Sequence, residues 1–306
     1  MTFHSDPALL PLTAAGIGAQ THRPWRTLVH VNDATGDEER AVEAGFAAAP
    51  DVSVSASHDN LGFAGGHNRA LKLLFDGGAE AVLVLNPDLR LAPDALHELW
   101  TVARSAGGRC LTGPLLELGE EGLRPTGLID SAGIRWTRTA RHLDALQGEP
   151  LSHAPAEVSV VAGLTGACVL VPREAYDAVV EASGEFFDAD FVAYREDAEL
   201  GLRCQALGIP CLLVPAARGV HGRGLRGTSR SSSAAVNRLG VQNRFLIRFK
   251  HGHRRPGNAV LSSARDVVVL AGAALVERSS WAGVRSAWSL RPAMRAKRRL
   301  LDRHRR

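Results

Sequence analysis

Two short acidic or amide-rich segments and a late histidine carry the residue types that can do chemistry. Asn86-Pro87-Asp88 follows the continuous apolar run Ala81-Val82-Leu83-Val84-Leu85. A buried strand that stops at an acid leaves a carboxylate at the carboxyl edge of a sheet, where an open α/β fold builds its ligand crevice. One or two carboxylates there can share a hard divalent cation, Mg2+ or Mn2+, with substrate phosphates. Asp88 is therefore a candidate metal ligand with Asn86 polar beside it. All three residues are also turn formers, so a plain turn into the next helix is the competing reading. Glu196-Asp197-Ala198-Glu199 crowds three carboxylates at a helix start, just after the aromatic-rich stretch from Phe186 to Tyr194. Acids there favour the helix dipole, but three in four residues exceed what a cap needs. A carboxylate so placed can take a proton from an attacking hydroxyl, and crowding by Glu196 is expected to raise the pKa of Asp197. His221 ends a strand-like run directly before a Gly/Arg/Ser loop and can reach a metal beside Asp88. A histidine that simply packs is the ordinary alternative. Arg223 and Arg226 in that loop can clamp phosphate oxygens, or lie solvated.

Two further segments suit a nucleotide. In Asn60-Leu61-Gly62-Phe63-Ala64-Gly65-Gly66-His67-Asn68 the glycines remove Cβ atoms, and a helix expected from Asn68 to Phe75 would offer N–H groups to phosphate. A tight strand–helix connection explains the same glycines. Asn32-Asp33 ends the run Thr27–Val31, and an acid there can bond a base or ribose or simply cap a helix with Thr35.

These residues need a scaffold. Strand-like and helix-like stretches alternate over the first hundred residues: Thr27–Val31, a helix from about Asp37 to Ala48, Val52–Ser55, the Gly-rich stretch, Ala81–Leu85, and a helix over Asp94–Arg104. That alternation predicts an α/β fold with a mostly parallel sheet flanked by helices. Residues 115–159 are irregular, with a short hairpin expected over Gly127–Ile134. Val158–Val171 reads as one or two strands, Gly166-Ala167 heading the last, and a helix follows from Pro172 to about Glu181. Glu196–Leu207 is an amphipathic helix ended by Gly208, and Cys211–Pro215 a buried strand. Everything after Ala234 reads helical, with Leu239, Phe245, Leu246 and Phe249 on one face. The expected division is residues 1–230 as the α/β domain and 231–306 as a C-terminal helical extension with a basic tail.

The chain has 306 residues, 45% of them hydrophobic, and a formal net charge of +4. That composition suits a globular core needing no disulfide or metal staple. The four cysteines form no C-x-x-C pair, which argues against a zinc site and for reduced thiols in the cytoplasm. Residues 1–19 lack the basic start and apolar stretch of a signal peptide, and the run Val267–Val276 is too short to span a bilayer. Basic residues crowd the segment after residue 290, which suits an anionic surface or a solvated tail. The absence of interleaved aromatics there argues against nucleic acid.

Taken in order, Asn32-Asp33-Ala34-Thr35, Asn60–Asn68, Asn86-Pro87-Asp88, Gly166-Ala167, Glu196-Asp197 and His221 resemble the motifs of the family-2 inverting glycosyltransferases with the GT-A fold, particularly bacterial rhamnosyltransferase-like and galactofuranosyltransferase-like members. The resemblance implies a dTDP- or UDP-sugar donor whose diphosphate is held by a divalent metal, Mg2+ or Mn2+. It also implies a glycan or polyprenyl-linked acceptor in cell-surface polysaccharide synthesis, with work in the cytoplasm or at the inner face of the membrane through the basic tail. Carried onto this chain, Asp197 is the base with Glu196 beside it, and Asp88 and His221 are metal ligands. Asn32, Asp33, Asn60, Gly62, Gly66, Asn68, Asn86, Asp88, Gly166 and Arg223 line the donor site. Three departures stand out. The apolar strand that opens the family is reduced to Met1-Thr2-Phe3-His4-Ser5, the first turn reads Asn-Asp where the family has Asp-Asn, and Asn86 replaces a first aspartate. Two rivals remain at this stage: a nucleotidyltransferase, which would release pyrophosphate, and a sugar-nucleotide-binding protein without turnover.

Overall fold

A computed structural model describes residues 1–222, 234–252, 256–275 and 278–305. The amino-terminal part alternates as the sequence implies: α1 (Leu10–Gly18), β1 (Thr27–Asn32), α2 (Gly36–Phe46), β2 (Val52–Ser57), α3 (Gly62–Asp76) and β3 (Ala81–Leu85). β4 (Leu89–Leu91), α4 (Ala95–Ser105), β5 (Leu111–Glu120), β6 (Arg124–Ser131), β7 (Ile134–Trp136), β8 (His142–Asp144) and β9 (Ser159–Val161) follow. The remainder is β10 (Cys168–Pro172), α5 (Arg173–Ser183), α6 (Glu196–Ala206), β11 (Cys211–His221) and the helices α7 (Ala234–His251), α8 (Ala259–Leu275) and α9 (Arg278–His304). Local chemistry sets several boundaries. Thr35 and Glu38 form a reciprocal capping box at the start of α2, satisfying two orphan N–H groups of the first turn. Gly184 closes α5 in the left-handed region.

The main sheet has the order β3-β10-β5-β11-β4, with β6 on β5 and β9 on β11. Its pairing is mixed rather than mostly parallel as the alternation in sequence predicts, because β10, β4, β6 and β9 all join it antiparallel. β5 and β11 run parallel, while β10 is antiparallel to both β3 and β5. Every residue of β10 is buried, because α3 and α5 cover one face of the sheet with Leu71, Phe75 and Val179 and α4 covers the other with Leu99. A strand enclosed on both faces reads as a continuous apolar run, as Cys168–Pro172 does.

β1 and β2 form a separate parallel pair. Thr2 extends it by one bridge to Val31, its N–H donating to the His30 carbonyl at 2.8 Å and its own carbonyl accepting from Asn32 at 3.0 Å. Between β1 and β3 lies a groove of about 730 Å³, lined by Met1, Leu28, Leu71, Leu83 and Trp100 among others. Burial lowers the Met1 ammonium to a pKa of about 6.

The sequence misplaced two elements. Gly127–Ile134 is not a hairpin: β6 pairs with β5, and β7 pairs with β8. Gly133, at φ 83°, turns the chain away between them, and a Cβ there would sit 2.9 Å from Val161. The helix expected from Asn68 begins six residues earlier, at Gly62.

The three C-terminal helices form their own apolar cluster with α6. Phe245, Leu246, Ala287 and Met294 pack on Phe191 and Leu202.

Candidate active site

Asp88 lies in the turn between β3 and β4, and His221 is the last residue of β11. The two meet because β11 pairs antiparallel with β4, setting His221 opposite Leu89. His221 Nε2 is 3.4 Å from Asp88 Oδ1. On its other side Nδ1–H donates to Asp130 Oδ2 at 2.7 Å. Burial opposes the charged imidazole, but the hydrogen bonds and charges of Asp130 and Asp88 outweigh it and raise its pKa to about 9. The turn is braced from behind, where Thr13 Oγ1–H donates to the Pro87 carbonyl at 2.8 Å and Gly222 N–H to the Asp88 carbonyl at 2.8 Å.

This donor set fits a divalent cation of the shared kind. Asp88 and His221 Nε2 present one carboxylate and one imidazole nitrogen side by side, and Asp130 fixes the ring from the second nitrogen as a carboxylate does behind a ligating histidine. A cation on Nε2 would take the place of the proton on that nitrogen, beside Asp88. Among the described residues no group of three or more His, Cys, Asp or Glu side chains is arranged to enclose a metal. The fit is thus to an ion that takes its remaining oxygens from a diphosphate.

Asp197 is the second residue of α6. Its Oδ2 accepts from Gly166 N–H at 3.2 Å and its Oδ1 from Ala198 N–H at 2.7 Å. From there a short path of bonds leads to the Asp88 turn. Ala167, next to Gly166, accepts from Asn86 N–H at 2.9 Å, and Asp88 is two residues further on. A Cβ on Gly166 would lie 3.0 Å from the Phe63 ring, so the glycine lets the start of α3 reach the same rim. An upward shift is found on the neighbouring carboxyl. Glu196 is buried, its Oε2 has no hydrogen-bond partner among the described residues, and desolvation together with the Asp197 charge pushes its pKa well above the usual carboxylate range.

The chain entering α6 is strained. Val192, Tyr194 and Arg195 all have positive φ, a conformation that side-chain-bearing residues avoid. Asn243 of α7 holds it, its amide donating to the carbonyls of Phe191, Ala193 and Tyr194 at 2.7 to 2.8 Å. One turn past Glu196, Glu199 is fully buried amid Arg203 at 2.8 Å, Lys250 at 2.7 Å and His251 at 3.0 Å. Burial alone would raise its pKa, but these partners drive it well below the usual range. Lys250 also reaches buried Asp188 at 2.6 Å, as does Lys297 of α9.

The Gly-rich segment is built differently from the sequence expectation. Its N–H groups do not wait at a later helix start, because the segment is itself the first turn of α3. Leu61 N–H donates to Asn32 Oδ1, Gly62 N–H to Asn60 Oδ1 and Ala64 N–H to the Val192 carbonyl, at 2.9, 2.9 and 3.1 Å. Asn32 is buried and its amide also donates to Asn60. Asp33, at φ 59° and partly exposed, is the acid of that turn that reaches the surface. Gly66 is packed so closely that a Cβ would strike Met1 Sδ. Asn68 exchanges two hydrogen bonds with the Phe187 backbone, at 2.7 and 2.8 Å. Arg223 and Arg226 lie outside the described residues. Asp130, Asn243 and Lys250 escaped the sequence reading. Only Asp130 left a signal, as a lone acid between Leu128-Ile129 and Ala132.

The fold resembles that of glycosyltransferases of the GT-A kind. No family model matches the chain. The mannosyltransferase PcManGT of Pyrobaculum calidifontis, solved with GDP-Man and Mn2+, superposes with a TM-score of 0.52 over 98% of this chain and 82% of its own, at 14% identity. At that identity the likeness is one of fold. By sequence the chain is similar to the low-salt glycan biosynthesis hexosyltransferase Agl10 of Haloferax volcanii, 26% identical over 205 residues, 64% of this chain and 60% of that protein. It is also similar to the N-acetylglucosaminyl-diphospho-decaprenol L-rhamnosyltransferase of Mycobacterium tuberculosis, 28% identical over 229 residues, 68% of this chain and 69% of that protein. The matched region thus spans about 60% of the length of the haloarchaeal relative.

Proposed function

We propose that the chain is an inverting glycosyltransferase of the family-2 kind, moving rhamnose, galactofuranose or a similar sugar from a dTDP- or UDP-sugar to a hydroxyl of a glycan or polyprenyl-linked acceptor at the inner face of the membrane. In this reading residues 1–230 carry the reaction and 231–306 brace it. The observation that carries it is the bonded path Asp197–Gly166–Ala167–Asn86, which holds a candidate base and the Asp88–His221 pair on one rim. The mycobacterial relative, named for a lipid-linked acceptor and a rhamnosyl group, supports the choice of acceptor and sugar.

Asp197 takes the acceptor's proton, its orientation held by the N–H groups of Gly166 and Ala198. The acceptor oxygen forms a bond to the anomeric carbon as the bond to the phosphate oxygen breaks, and nucleoside diphosphate leaves. Glu196, its pKa raised by burial and by the charge of Asp197, stands beside this base. Asp88 and His221 would hold the divalent cation, whose chemistry is to offset charge on the departing diphosphate. Asp33 contacts the nucleoside.

The test is nucleoside diphosphate release from dTDP- and UDP-sugars with Mg2+ or Mn2+ and a polyprenyl-diphosphate glycan. Asp197→Asn lowers turnover by about 10²- to 10⁴-fold while calorimetry finds donor affinity retained, and EDTA abolishes turnover. Full transfer by Asp197→Asn removes the base assignment. A second reading is donor binding without turnover. Donor binding with no product across a panel of acceptors would select it.

A further inference from the structure

The helix α8 is turned inside out relative to an ordinary surface helix. Its buried side carries Ser262 and Asp266 as well as Ala273. Asp266 accepts from Arg244 Nε at 2.7 Å and is also paired with Arg248, both on α7. Its outward side is apolar throughout. Val260, Val267, Val268 and Leu275 are 65 to 84% exposed, and their spacing places them on one stripe of the helix. The residues between them on that stripe, Ala264 and Ala271, are exposed and apolar as well. In a protein surrounded only by water the polar face turns outward.

The next helix continues the pattern. Trp281 and Trp288 of α9 are 45 and 42% exposed, and Trp288 lines a shallow surface depression with Arg291, Arg295 and Arg299. Residues 256–306 hold eleven lysines and arginines against three acids. Tryptophan, with an apolar ring and a polar N–H, suits the headgroup layer of a bilayer. The exposed arginines suit anionic headgroups and would repel the same face of a second copy.

We propose that the α8–α9 hairpin is a docking element for an anionic lipid bilayer, with the apolar stripe of α8 in the acyl boundary and the arginines of α9 among the headgroups. α8, about 25 Å long at 1.5 Å per residue, lies along the surface, in keeping with the finding that no described helix is long and apolar enough to cross a membrane. The assignment stands on the helix surface and not on the transfer reaction. It moves the membrane contact from the basic tail alone to an apolar helix that the tail assists.

Co-sedimentation of the full chain with vesicles tests it. The wild type binds phosphatidylglycerol/phosphatidylcholine vesicles, releases with added salt, and shows a blue shift of tryptophan emission. The double variant Val267→Gln/Val268→Gln lowers partition by at least about tenfold with an unchanged circular dichroism spectrum and Tm. Arg295→Gln/Arg299→Gln weakens binding to anionic vesicles while leaving Tm unchanged. Three results overturn the proposal: no binding to anionic vesicles, undiminished binding by the valine double variant, or a stable dimer that the valine double variant dissolves. The last would assign the stripe to a second copy of the chain.

Discussion

Glu196 and Glu199 sit one turn apart on α6, both buried, and the fold treats them in opposite ways. Glu199 is ringed by Arg203, Lys250 and His251. Glu196 has a side-chain oxygen with no hydrogen-bond partner among the described residues and a like charge next to it. The contrast separates two uses of a buried acid. On the side facing α7 the charge is compensated and ties α6 to the C-terminal helices. At Glu196, beside Asp197, it is left under electrostatic pressure, which is where a proton-handling pair belongs.

Substitutions can break this contrast. The largest stability effect is expected for Glu199→Gln, which leaves Lys250 and Arg203 buried with less countercharge, at about 3–5 kcal/mol in denaturant unfolding. The pH dependence follows the sign of the shift. The folded pKa of Glu199 is below its ordinary value of 4.5. Its stabilisation is therefore present above about pH 4.5 and disappears as pH falls through the depressed folded value. The gap between wild type and Glu199→Gln should close over that acid window, and a gap that instead widens would reverse the assignment.

Next comes Asn243→Ala, expected to lower stability by about 1–3 kcal/mol because it orphans carbonyls of Phe191, Ala193 and Tyr194. Proteolysis or hydrogen exchange over residues 189–197 should rise along with it. Unchanged protection there would mean that the strained entry to α6 is held by packing alone.

The smallest change in stability, and of opposite sign, is expected for Glu196→Gln. The folded pKa of Glu196 is raised, so the wild type loses stability as pH climbs from about 4.5 through that folded value. The amide variant does not. It should match the wild type in acid and exceed it at neutral pH in Tm, and a variant less stable than wild type at neutral pH would refute the reading.

The sequence by itself determined the framework. Continuous apolar runs marked β3, β10 and β11 because strands enclosed on both faces carry no polar alternation. Thr35 and Glu38 set the start of α2, and the acids at Glu196 marked the start of α6, because capping chemistry is local. The order of the short motifs gave the glycosyltransferase likeness and pointed to Asp88, His221 and Asp197. What the chain could not state was how those residues meet. That Asp130 supports His221, that Asn32 and Asn60 hold the glycine-rich turn from within, and that Asn68 faces Phe187 follow from strand register and helix packing across up to 119 residues of sequence. The inverted surface of α8 was equally hidden. Its valines read as an ordinary apolar run until α7 supplied Arg244 and Arg248 for Asp266, fixing the polar side inward. Spacing along a chain encodes which face a side chain shares, but only the packed neighbours decide which face is covered.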